Sequence, residues 1–77
     1  MAYKFINMKN GKIYEFYCEI DIENMELKLI PLFLIYIGKD ENNDFIRLAS
    51  NKMIRRLTRY RQQYYFYNNR EKYLLLV

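Results

Sequence analysis

Hydrophobic and polar residues alternate most cleanly between Tyr14 and Ile22. Tyr14, Phe16, Cys18, Ile20 and Ile22 take every second position, and Glu15, Glu19 and Asp21 fall between them together with Tyr17. A period of two over this length predicts a half-buried antiparallel strand. Ahead of it, Tyr3 to Lys9 is a short mixed run. Asn10-Gly11 then gives a hairpin signal, because a type I′ turn needs positive φ at both central residues. After the strand, Glu23-Asn24-Met25 reads as a turn. Leu27 to Ile37 is apolar on both faces beyond Lys28, as in a strand covered twice, with Pro31 marking an edge position or a bulge. Gly38 to Asp44 is a polar loop, and Phe45 to Leu48 is a short strand.

The period then changes. Met53, Leu57, Tyr60, Tyr64 and Tyr67 recur at steps of three and four, the spacing of an amphipathic helix. Ser50 or Asn51 can cap its start, and Asn68-Asn69 can end it, since Asn tolerates the left-handed conformation. Tyr73 to Val77 is apolar and adds a last strand. The expected fold is therefore α+β: a small antiparallel meander of four to five strands with one long amphipathic C-terminal helix on one face. In a single domain spanning 1–77, the meander takes 1–48, the helix 49–69 and the terminal strand 72–77.

Composition narrows the chemistry. A chain of 77 residues with 52% hydrophobic content can bury a core, though a thin one. A thin core makes association into a homodimer an expectation. The chain contains no His, which removes the commonest general base and transition-metal ligand. Its one Cys, Cys18, can form neither an internal disulfide nor a cysteine-based zinc site. A lone Cys and the lack of a signal-peptide pattern point to a cytoplasmic, not secreted, protein. The apolar run from Leu27 to Ile37 is far shorter than the roughly 20 residues that cross a bilayer, so a membrane is not among the expected partners. Lys, Asn, Ile, Tyr and Phe dominate, and their AT-rich codons suggest a low-GC bacterium, its phages or a large DNA virus.

Charge is unevenly distributed. Residues 1–44 carry five lysines against eight acids, a net of −3, whereas residues 45–77 carry eight cations against Glu71 alone, a net of +7. On the expected helix, Lys52, Arg55, Arg56, Arg59, Gln63 and Arg70 share a sector about 100° wide, Arg70 only if the helix passes Asn69. Guanidinium groups present planar donors suited to phosphate or carboxylate. Tyr65 and Phe66 are placed to stack on bases. The bland alternative is a solvated face whose arginines pair with Glu19, Asp21 or Glu23. Against it, residues 51–70 contain no acid for i,i+4 pairing.

Other constellations have plain explanations. Asp40, Asn42 and Asp44 match the first positions of a calcium loop, but Phe45 stands where glycine is required and Asn51 where the bidentate acid belongs. Glu15, Glu19 and Asp21 share one strand face, where successive same-face side chains stand about 7 Å apart and could be taken for paired catalytic carboxylates, but a solvated outer face looks the same. Cys18, on the apolar face, reads as a small buried hydrophobe. Gly11 and Gly38 are isolated and form no phosphate cradle.

No catalytic residue, metal or cofactor is expected. The expected function is a small non-enzymatic binding protein whose basic face engages a polyanion, either nucleic acid or an acidic protein surface. The alternative is a protein-interaction module: an inhibitor of the phage or mobile-element kind that docks on a nucleic-acid-handling enzyme.

Overall fold

The computed structural model describes residues 1–32, 36–47 and 52–76. Among them are nine strands and no helix: β1 (Ala2–Asn7), β2 (Ile13–Asp21), β3 (Glu26–Leu29), β4 (Tyr36–Asp40), β5 (Phe45–Arg47), β6 (Ile54–Arg56), β7 (Thr58–Tyr60), β8 (Gln63–Asn68) and β9 (Glu71–Leu75). Every pairing is antiparallel. The α+β expectation is thus corrected to all-β, and the long helix over 49–69 does not exist. Its proposed caps, Ser50 and Asn51, lie outside the described residues, as do Leu48 and Val77.

The error has a physical cause. Residues 54–67 contain four Tyr together with Ile54, Thr58 and Phe66, residues that suit a pleated surface. They fold as β6, β7 and β8, with a two-residue turn at Arg61-Gln62. Both turn residues have positive φ, 51° and 65°, the sign pattern of a type I′ hairpin turn. Leu57 and Tyr64 then face inward while Tyr60 and Tyr67 face outward. The three- and four-residue spacing therefore mixes two faces of a hairpin. Asn68-Asn69, expected to stop a helix, leads instead into a second such turn at Asn69-Arg70, with φ of 53° and 62°.

Strand order along the sheet is β5-β4-β2-β1-β9-β8-β7, and β3 bridges β2 to β6. Because Leu57 alone separates β6 from β7, the path β1-β2-β3-β6/β7-β8-β9 returns to β1 and closes a ring. The Leu57 amide donates to the Met25 carbonyl at 2.9 Å and holds the bend. The inner face of the ring is the core: Phe5, Phe16, Cys18, Leu27, Leu29, Ile37, Leu57, Phe66 and Tyr73. Its centre is a cluster of four rings from four strands. Phe5 and Phe66 meet edge-on at 5.1 Å, and Phe16 meets Phe66 at 5.3 Å and Tyr73 at 4.9 Å. Such pairs add about 0.5–1.5 kcal/mol each beyond the area they bury.

Local chemistry fixes the loops. The Asn7 Oδ1 accepts hydrogen bonds from the Lys9 and Asn10 amides at 2.8 and 3.1 Å, so the β1–β2 connection is a wider loop than a two-residue Asn-Gly turn. Only Gly11 in it takes positive φ, 74°. The Asp40 Oδ1 accepts from the Asn42 and Asp44 amides, both at 2.9 Å. That carboxylate is engaged in closing the β4–β5 hairpin. Gly38 lets β4 approach β2, since a Cβ there would strike the Glu15 carbonyl oxygen.

Candidate functional site

The residues expected to form one basic sector are dispersed by the strand geometry. Lys52 is exposed ahead of β6. Arg55 and Arg56 are neighbours on β6, so they point to opposite sides of the sheet. Arg55 is half-buried beside Leu27, its Nε donates to the Lys52 carbonyl at 2.9 Å, and burial pulls its pKa down. Arg56 lies on the outer face, in register with Glu26. Arg59 is paired with Tyr64, its guanidinium 5.7 Å from that ring's centre. Gln63 opens β8, and Arg70 sits in the turn beyond its far end, about 17 Å away at 3.4 Å per residue. Of the two stacking residues, Phe66 is fully buried and belongs to the core. Tyr65 does face outward.

What the strands bring together is a different surface. On β8, Phe66 and Asn68 point inward, so Gln63, Tyr65 and Tyr67 point outward. On β9, buried Tyr73 leaves Lys72 and Leu74 outside, and on β1, buried Phe5 and Asn7 leave Lys4 and Ile6 outside. Register then assembles these side chains into rows. Ile13, Ile6, Leu74, Tyr65 and Thr58 are successive cross-strand partners over β2, β1, β9, β8 and β7. On one flank Tyr67 pairs with Lys72, whose carbonyl accepts from the Met8 amide at 2.9 Å. On the other flank Tyr60 pairs with Gln63, and Leu76 donates to the Lys4 carbonyl at 2.9 Å.

This face is aromatic and basic. Tyr60 is 58% exposed and Tyr67 53%. The Arg61 guanidinium lies 5.1 Å from the centre of the Tyr60 ring, and the Lys72 Nζ lies 4.1 Å from that of Tyr65. Tyr65 and Tyr67 meet edge-on at 5.8 Å. Strands β1, β7, β8 and β9 contain one acid, Glu71, on the same side of β9 as buried Tyr73. Sequence reasoning missed Tyr60, Arg61 and Tyr67 because helical periodicity put them on or beside the core side of a helix, and Lys72 because it fell in the separate terminal strand expected over 72–77. Tyrosine on both faces of 63–68 leaves no clean alternation there that would have grouped them.

Elsewhere the chemistry is quiet. Cys18 is fully buried, and burial pushes its thiol up to about 12. Among the described residues no group of three or more His, Cys, Asp or Glu is arranged to hold a metal ion, and no helix is long and apolar enough to cross a membrane. Asp21 is held below the usual carboxylate range by hydrogen bonds from the side chain and amide of Asn24, at 2.8 and 3.1 Å. No family model matches the chain, and no curated protein and no solved structure matches it either.

Proposed function

We propose that the protein is a non-enzymatic binding module that engages nucleic acid on the outer face of β7, β8, β9 and β1. The observation that carries this is the pairing of outward-facing tyrosines with cations beside nearly acid-free strands: Arg61 over exposed Tyr60 and Lys72 over half-buried Tyr65. A cation held on a ring is desolvated on one side and oriented, while its remaining donors face outward for phosphate. Lys52, Arg55, Arg56, Arg59 and Arg70 add a positive field around the face and speed encounter. An intracellular setting goes with this reading.

Anisotropy titrations of labelled oligonucleotides across a salt series test it. Log affinity should fall linearly with log salt, with a slope near −0.7 to −0.9 per phosphate neutralised. Reversing Arg61 and Lys72 to Glu should weaken binding at least tenfold without altering the melting temperature by more than a few degrees. Absence of binding to every oligonucleotide at low salt would refute it.

A second reading, a protein-interaction module docking on a nucleic-acid-handling enzyme, is favoured by one feature. The row Ile13–Ile6–Leu74 is aliphatic, and Ile13 is 40% exposed on the outside of the sheet. Exposed apolar rows of this kind mark protein contacts. A complex that survives nuclease and high salt and is lost on Leu74→Lys would support that reading instead.

A further inference from the structure

Resting on the nucleic-acid reading, we infer that the ligand is single-stranded, with Tyr67 as the principal base platform. Three observations converge. First, the centre of the face is mainly ring and aliphatic surface, with the Lys72 ammonium seated on Tyr65. Tyr65, Leu74 and Ile6 form one cross-strand row, with Tyr67 beside it. A duplex buries its base faces and presents phosphates and groove edges, so it has nothing to place on such a surface, whereas unpaired bases stack on it. Nor is β8 the protruding two-stranded ribbon that enters a major groove, because β7 and β9 flank it on both sides.

Second, the spacing suits an unstacked strand. Tyr65 and Tyr67 are successive outward residues on β8, so their backbone positions stand about 7 Å apart. That is roughly twice the 3.4 Å per-strand rise of a duplex. The two rings stand at 86° to each other, so a base seated on Tyr67 is held out of a continuous stack with its neighbours, which only a single strand permits.

Third, the rings differ in what covers them. Lys72 occupies one face of Tyr65, and Arg61 one face of Tyr60. Tyr67 is 53% exposed and carries no cation on its ring among the described residues; its one ring contact is the edge-on meeting with Tyr65. Its cross-strand partner Lys72 stands next to it, placed for the phosphate of a base seated on Tyr67.

The test compares three probes on the intact protein at fixed salt: a twelve-nucleotide oligo-dT or oligo-rU, a duplex of the same length, and inorganic polyphosphate as a polyanion without bases. The single strand should bind more tightly than the other two and should quench the protein's tyrosine emission. Tyr67→Ala should weaken single-strand binding about tenfold, the scale of one lost base stack. It should leave polyphosphate affinity and the salt slope unchanged, and Tyr67→Phe should restore binding. Tyr60→Ala gives an independent second platform variant at an equally exposed position. If both alanine variants bind the single strand as the parent does, or the duplex and polyphosphate bind equally well, the single-strand inference falls while the broader polyanion reading stands. If none of the three probes binds, both fall.

Discussion

Replacing Gln62 by glycine changes one backbone position whose cost is legible in the structure. Gln62 sits at φ 65° and Arg61 at φ 51° in the two-residue turn between β7 and β8. An L-residue held in this left-handed region loses roughly 1–2 kcal/mol, and glycine loses none of it. Glycine also has more unfolded-state freedom, which takes back about 0.5–1 kcal/mol. The Gln62 side chain is exposed, so little contact is lost with it. The net expectation is a gain of about 0.5–1 kcal/mol. For a domain of this size that raises Tm by roughly 4 °C. Thermal melts followed by far-ultraviolet circular dichroism measure it, with Gln62→Val as the opposing control. A β-branched residue is a genuine misfit at positive φ, and it should lower Tm by at least a similar amount. On the proposed nucleic-acid reading, affinity should stay at the parental level, because Arg61 and Tyr60 remain. A lower Tm for the glycine variant, or no change for valine, would show that the turn is not left-handed and that β7 and β8 are joined differently.

Gly38→Ala should drive β4 away from the Glu15 carbonyl oxygen, costing about 1–3 kcal/mol, and a guanidinium chloride midpoint would report it. An unchanged midpoint would mean that β4 does not approach β2 as described. Cys18 should resist a thiol reagent at pH 8 in the folded protein and react fully in denaturant, since burial raises its thiol to about 12. The same shift predicts a pH effect of definite sign. The unfolded thiol loses its proton near its ordinary 9.0 while the folded one keeps it, so the Cys18 contribution to stability is constant below pH 9 and falls between pH 9 and about 12. Tyr73, raised chiefly by burial, acts in the same direction at the alkaline end. Urea midpoints between pH 7 and pH 11 in the parent and in Cys18→Ala separate the two: the alanine variant should lose less stability as pH rises.

The sequence was most readable where one face of a strand is wet and the other dry. Glu15 and Glu19 alternate with Phe16 and Cys18, and in the structure these two apolar side chains are fully buried. The back half was misread for two physical reasons. Tyrosine occupies both faces there, inward at 64 and 73 and outward at 60, 65 and 67, so no clean alternation survives. The turn that separates β7 from β8 is Arg-Gln, which carries none of the Asn or Gly that usually announce positive φ. The charge asymmetry was legible without structure, but the arrangement of those charges was not. A helix would have gathered Arg55, Arg56 and Arg59 into one sector, whereas a strand sends Arg55 and Arg56 to opposite sides. Phe66 shows the same dependence: one residue from Tyr65 on a strand, it falls inside while Tyr65 stays outside.

The pairing of β1 with β9 has a consequence for how the molecule comes into being. Phe5 is in register with Leu75, seventy positions later. Hairpins such as β7–β8 can form within microseconds, but the first strand has no final neighbour until residues 71–75 have left the ribosome. Until then one border of β1 stands open to any other extended chain. Closure of this fold is thus a late, all-at-once event, timed by the emergence of β9 and not by that of the earlier hairpins.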